Sequence, residues 1–327
     1  MAVNKGDKIF NPETWEKVNP ENRAILDDYV LEMKSKGKSK GTIYQYSADI
    51  KMFFCWAHDN GNKPILDMKK REFRRFFLEM KDRGTSAARV NRVQCSIRNL
   101  LEFCTEDDDE YEDYEINAMR AIKGLSKEPV REIHFVKDEH VRAMVEKLVE
   151  AGKYQRALYL TLSYESCGRR NEMAQVLKHD FLENNRTNEL VGKRGKKYKA
   201  LYFDRAREIA KMYFEQRGED DIDSLWTVGK GETKRPATYD NLYQWAVSLR
   251  KELEEVSGEH VEINAHTWRH SGLENYENGT HYVLKQLGKD KLPLEVLKVL
   301  ANHSSIETTQ SYLMNKDDEL LNTAFGL

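Results

Sequence analysis

Residues 301–312 read ANHSSIETTQSY, which places His303 in a turn and Tyr312 nine residues later on a helix expected over 305–313. Taken alone, a tyrosine on an apolar helix belongs to a core more often than to chemistry. Three other stretches change its meaning. Residues 266–270, HTWRH, open a helix expected over 267–278, and their i,i+3 spacing puts His266 and Arg269 on one face. Only His270 stands nearby as another metal ligand and no carboxylate sits at ligand spacing, so a metal site fits poorly. Residues 166–173, SCGRRNEM, set an arginine three positions before a glutamate, by itself an ordinary ion pair. Residues 188–204, NELVGKRGKKYKALYFD, read as two short strands, about 188–192 and 198–203, joined by a basic turn containing Gly192 and Gly195.

Along the chain the order is arginine with glutamate, lysine in a hairpin turn, histidine with arginine, histidine in a turn, then tyrosine. This constellation resembles the tyrosine recombinase (phage integrase) family, whose catalytic domain carries these groups in this order. The resemblance marks Arg169, Lys193, His266, Arg269, His303 and Tyr312 as catalytic and Glu172 as a supporting group that orients an arginine or lysine. Two positions depart from the family's pattern. In its small-Gly-hydrophobic-Arg box the glycine has slipped one place, to Gly168, so that Arg170 competes with Arg169; Glu172 three residues on selects Arg169. In its Leu-Gly-His turn Asn302 replaces glycine, and asparagine tolerates the positive φ of such a turn. Lys193 is the best-placed lysine because it follows Gly192, with Lys196 next; the connection HYVLKQLGKDKLP, 281–293, is longer than in compact members.

These residue types suit one reaction. Breaking a DNA phosphodiester without water or metal needs a nucleophile, a clamp for the nonbridging oxygens and an acid for the leaving 5′ oxygen. Tyr312 would attack and hold a 3′-phosphotyrosine, conserving bond energy so that no cofactor is needed. Arg169 and Arg269 would grip the phosphate with planar forks, and His303 would add a hydrogen bond. Lys193 would protonate the leaving oxygen, and His266 would assist proton transfer at Tyr312. The resemblance further implies a homotetramer on double-stranded DNA with inverted-repeat core sites, a Holliday junction intermediate, a C-terminal helix within 316–324 exchanged between subunits, and an accessory DNA-bending protein as an optional partner. A type IB topoisomerase carries a similar constellation, and a catalytically silent DNA-binding protein could keep the fold; both stand as alternatives.

The rest of the 327 residues fits this reading. From Pro20 to Cys104 the pattern is helical, with joints at Lys36-Gly37, Asn60-Gly61-Asn62 and Arg83-Gly84, and with Ser39 and Ser86 as N-caps. Four helices follow, the first with Ile25, Tyr29 and Met33 inward, the second with Tyr44, Ile50, Phe53, Phe54 and Ala57, the fourth with Val90, Val93, Ile97, Leu100, Leu101 and Phe103. The expected fold class is mainly α. A four-helix core-binding (SAM-like) domain over 1–121 and a linker over 122–133 lead to a mostly helical catalytic domain over 134–327 with a small β-hairpin.

Formal charge is only −2, but residues 106–115, EDDDEYEDYE, hold eight acidic groups and leave the remaining chain at +6. Basic clusters KSKGKSK (34–40), KKREFRR (69–75) and KRGKKYK (193–199) suit a phosphate backbone. Lys38, Lys40, Thr42, Tyr44, Arg89, Asn91, Arg92 and Arg98, with Lys196 and Lys197 of the hairpin, are the expected DNA contacts, most of them to phosphates. Four cysteines without CxxC spacing read as reduced thiols, and the absence of a signal peptide or membrane-spanning run predicts a cytoplasmic protein with no membrane partner.

Overall fold

The computed structural model describes residues 9–107, 109–126, 133–179 and 181–313. The chain forms two compact units, Met1–Glu132 and Ile133–Leu327.

The first unit holds α1 (Pro12–Trp15), α2 (Pro20–Ser35), α3 (Lys40–Asp59), α4 (Lys70–Asp82) and α5 (Ala87–Glu106), and α2–α5 are the four expected helices. Their ends follow from local chemistry. Ser39 and Ser86 accept from the backbone N–H of Thr42 (3.2 Å) and Arg89 (3.3 Å), satisfying donors that a helix start leaves unpaired. Gly37 and Gly84, just past the C-caps Lys36 and Arg83, take the left-handed backbone that ends a helix (φ 64° and 82°). Phe53 anchors the core, stacked on Phe73 at 5.4 Å and edge-on to Phe76 at 5.0 Å. Truncating such a fully buried phenylalanine typically costs about 3–5 kcal/mol. Tyr44 does not join the α3 stripe: it is 76% exposed, one turn before the buried run begins at Asp49.

The second unit comprises α6 (Asp138–Glu150), α7 (Tyr154–Ser166), α8 (Arg170–Met173), a hairpin β1 (Leu190–Val191) with β2 (Lys197–Tyr198), α9 (Asp204–Arg217), a hairpin β3 (Thr227–Val228) with β4 (Arg235–Pro236), α10 (Tyr239–Ser248), α11 (Arg250–Ser257), α12 (Thr267–Asn278), α13 (Tyr282–Gln286), α14 (Leu294–Leu300) and α15 (Ile306–Gln310). The first hairpin pairs Leu190 with Tyr198 and Val191 with Lys197. A third helix expected over 170–178 stops at Met173, because the chain then pairs sideways: Val176 O accepts from Leu225 N at 2.8 Å and Leu177 bridges Ser224. The second hairpin and α13 were not expected, and the helix expected over 238–256 divides at Leu249. From Ala157 to Ser166 every residue of α7 is buried, and Tyr159 meets Trp226 and Trp245 edge-on at 5.8 and 6.0 Å. Helix α12 is buried on nearly all sides, which carries Arg269 into the interior. The expected helix over 316–324 lies outside the described residues.

Candidate active site

Arg169 enters the site on a turn held by Glu172. After α7, Cys167 adopts the left-handed backbone (φ 51°) at the place where the glycine has slipped away. A Cβ at Gly168 would lie 2.2 Å from Met173 Cε, so the tip of that methionine would have to shift to admit one. Arg169 then caps α8: its backbone N–H donates to Glu172 Oε2 at 2.7 Å and its guanidinium to Oε1 at 3.0 Å. Glu172 is 1% exposed and accepts a third bond from the Tyr198 hydroxyl at 2.7 Å, which ties the β1–β2 hairpin to the arginine. Arg170 lies over the rings of Tyr239 (3.5 Å) and Tyr243 (4.8 Å), so the two competing arginines face different surroundings.

Arg269, 1% exposed, is the most constrained group. It donates to the carbonyl of Cys167, to that of Ala301 at 2.7 Å, and to His303 Nε2 at 2.5 Å. The left-handed turn at Cys167 and the turn at 301–303 therefore both aim carbonyls at one guanidinium. Burial and then the charge of Arg169 push Arg269 below its ordinary value, although a guanidinium stays charged. Because Arg269 can only donate, His303 Nε2 is the acceptor and Nδ1 carries the proton, which it gives to Thr309 Oγ1 at 2.9 Å. Burial first, then Arg269, Arg169 and Lys196, push His303 down to about 3, which keeps it neutral in the physiological range.

Tyr312 follows α15 directly, its N–H bonded to Thr309 O at 3.0 Å. Its ring stacks on His270 at 4.3 Å, tilts toward His303 at 4.9 Å and faces the Arg269 guanidinium at 5.0 Å. His270 Nδ1–H also donates to the Tyr312 carbonyl at 3.2 Å, and burial pushes this histidine down to about 4. Arg269, His303 and Tyr312 thus converge. His266 occupies the N-cap position of α12 without a capping bond, and partial burial of its imidazole, then Arg269, Arg170 and Arg169, push it below its ordinary value.

The lysines divide. Lys193 is solvent-exposed at the start of the hairpin turn, whereas Lys196 reaches the His303 carbonyl at 3.4 Å and Lys197 pairs with Glu189 at 2.8 Å. Sequence reading gave His270 and Thr309 no role in the site; nothing in their immediate neighbours announces contacts made across 42 and 6 residues. Among the described residues no group of three or more His, Cys, Asp or Glu side chains could hold a metal ion.

In the first unit, Lys38, Lys40 and Tyr44 are exposed around the start of α3, with Thr42 half-buried beside them. Arg89 and Arg92 clamp the buried carboxylate of Asp49, Arg92 at 3.3 Å, while Arg92 stays substantially open to solvent. Asn91 and Arg98, also expected at DNA, have side chains turned to the chain itself. Asn91 makes paired bonds with the backbone of Leu125 (2.8 and 2.7 Å), and Arg98 donates to Ile122 O (2.8 Å) and Met119 O (3.4 Å), fastening the segment after the acidic run onto α5.

Residues 25–109 match the phage integrase N-terminal SAM-like domain. A tyrosine recombinase of Synechococcus elongatus is 26% identical over 208 residues, 59% of this chain; the match spans 58% of that relative's length. Among solved structures, a lambda integrase tetramer bound to a Holliday junction aligns with a TM-score of 0.64 at 14% identity, over 90% of this chain and 78% of that one. XerH site-specific recombinase, captured after cleavage on a palindromic difH substrate, aligns at 0.65 and 15% identity, over 89% and 81%. The resemblance drawn from the motifs therefore holds: the fold is that of lambda integrase and XerH, mostly helical and preceded by a SAM-like domain. No helix among the described residues is long and apolar enough to cross a membrane.

Proposed function

We propose that this chain is a site-specific DNA recombinase that cuts and rejoins strands through a phosphotyrosine at Tyr312. The observation that carries the reading is the convergence on Tyr312 of Arg269 and His303, two groups from a separate helix and turn, each within 5.0 Å of the tyrosine ring. A guanidinium held by two carbonyls and an imidazole is preorganised, so it stabilises charge developing on a phosphate without reorganising during reaction. Arg169, presented at the protein surface by Glu172, supplies the second fork. His303 positions Arg269 by accepting its N–H at Nε2. Lys193 or Lys196 protonates the 5′ oxygen, and His266 relays the proton of Tyr312.

Religation by a 5′ hydroxyl from a second duplex reverses cleavage. Four active sites are then required, so the assembly on DNA is a tetramer on inverted-repeat core sites passing through a Holliday junction, with the segment after Tyr312 exchanged between copies and an accessory DNA-bending protein as an optional addition. The exposed basic side chains around the start of α3, together with Arg89 and Arg92, supply phosphate contacts from the first unit. Two labelled duplexes from the protein's own genomic neighbourhood, incubated with it in EDTA, test the reading: hybrid products and a four-way intermediate are expected. Relaxation of supercoiled plasmid without exchange would replace recombination by a topoisomerase activity.

A further inference from the structure

We infer that Asn302 is a positioning residue of the cleavage site, whose side-chain amide takes over the Glu172 carboxylate when Arg169 turns from it to a phosphate. The inference rests on the reading given under Proposed function and adds to it a residue that departs from the family's glycine.

Asn302 is held at a cost on two counts. Its backbone is left-handed (φ 50°), a conformation that glycine adopts without the Cβ penalty. Its side chain is 7% exposed, and Nδ2 is buried with no hydrogen-bond partner among the described residues. Buried donors are nearly always satisfied, and the exceptions gather where function needs them. Glycine at this turn would remove both costs. Cys167, the other left-handed residue of the site, offers a contrast, because its thiol donates to Tyr164 O at 3.6 Å.

The surroundings say what the amide is for. A Cβ built on Gly192 would lie 2.8 Å from Asn302 Nδ2, 3.1 Å from Glu172 Oε1 and 3.2 Å from the carbonyl oxygen of Lys196. Donor and carboxylate therefore flank one small gap, and the missing side chain of Gly192 keeps it open. Backbone conformation does not demand glycine there, since φ is −85°. Glu172 Oε2 is occupied by Arg169 N–H and the Tyr198 hydroxyl, whereas Oε1 depends on the Arg169 guanidinium. If that guanidinium engages a phosphate, Oε1 of the buried Glu172 loses its partner, and rotation of the Asn302 amide across the gap restores one. Glu172 then keeps hold of the Arg169 backbone and of the lysine hairpin throughout the reaction.

The test combines Asn302→Gly with Glu172→Gln in a double-mutant cycle, read by thermal melting and by the single-turnover rate of covalent adduct formation on saturating nicked duplex. Asn302→Gly is expected to melt at or above the wild-type temperature, yet to form adduct about tenfold more slowly or worse, the size of one hydrogen bond to a charged group. In the Glu172→Gln background the same substitution is expected to change the rate little. A wild-type rate in Asn302→Gly, or equal slowing in both backgrounds, overturns the inference. Adduct formation by the wild-type chain in the same experiment distinguishes that failure from failure of the recombinase reading.

Discussion

Thr309→Val isolates the part of the site that fixes His303. Valine matches threonine in shape but cannot accept the proton that His303 Nδ1 donates at 2.9 Å, in a place where both residues are buried. Moving the proton to Nε2 offers no escape, because Nε2 then faces the Arg269 donor at 2.5 Å. No neutral tautomer is satisfied, and a buried unsatisfied group costs about 1–3 kcal/mol. For a unit of this size each kcal/mol lowers the melting temperature by about 2–4 °C, so a fall of roughly 2–12 °C is expected. Arg269 loses its fixed acceptor at the same time. Removing one preorganised donor from a charge-stabilising site typically costs about 10²–10³ in rate, and a loosened one should lose about 10- to 100-fold. Differential scanning calorimetry and single-turnover cleavage of a nicked duplex read the two effects, with Thr309→Ser as the variant that keeps the acceptor. If Thr309→Val matched Thr309→Ser in both melting and rate, the assigned tautomer and its role in holding Arg269 would be wrong.

Two further outcomes follow from the geometry. Lys193→Ala and Lys196→Ala separate the candidate acids: the variant lacking the acid should lose about 10²–10⁴ in cleavage rate and recover on a substrate whose leaving 5′ oxygen is replaced by sulfur, which departs without a proton. Slowing that persists on the sulfur substrate would identify a positioning lysine instead, the outcome expected for Lys196 if its bond to the His303 carbonyl is its main role. Glu165 gives a pH dependence. It is fully buried, bonded to the Tyr282 hydroxyl and to Phe203 N–H, and burial raises it from 4.5 to about 7. The folded chain thus keeps a proton that the unfolded chain releases near 4.5, so this stabilisation is present below 4.5 and is lost as pH rises to about 7. Measured against Glu165→Gln by urea unfolding, wild type should lose about 3 kcal/mol across that window. A difference that stayed flat with pH would show that Glu165 ionises at its ordinary value.

Helices were legible wherever a cap and a breaker enclosed an apolar period. Ser39 and Ser86 start α3 and α5, and Gly37 and Gly84 end the helices before them, each through bonds made within a few residues. The strands of β3–β4 are two residues long, too short for alternation to register, and α13 is a five-residue helix started by His281 accepting from Val283 N–H. The catalytic candidates were legible as types and spacings, because a phosphate clamp needs forked cations and a nucleophile needs a neighbouring acid or base. What escaped was tertiary. Asn91 and Arg98 sit on a polar face of α5, and only the returning chain at 119–125 turns that face inward. His270 and Thr309 acquire their places through contacts with Tyr312 and His303 that no local pattern encodes.

The central claim is that Tyr312 becomes covalently joined to DNA without a metal or cofactor. Nicked duplexes that lose the 5′-hydroxyl fragment after cleavage, incubated in EDTA and digested with protease and nuclease, allow the attachment site to be read by mass spectrometry. A nucleotide on the tyrosine of the peptide spanning Tyr312, absent from Tyr312→Phe, is the predicted result. An adduct on another residue, or one that persists in Tyr312→Phe, would contradict it.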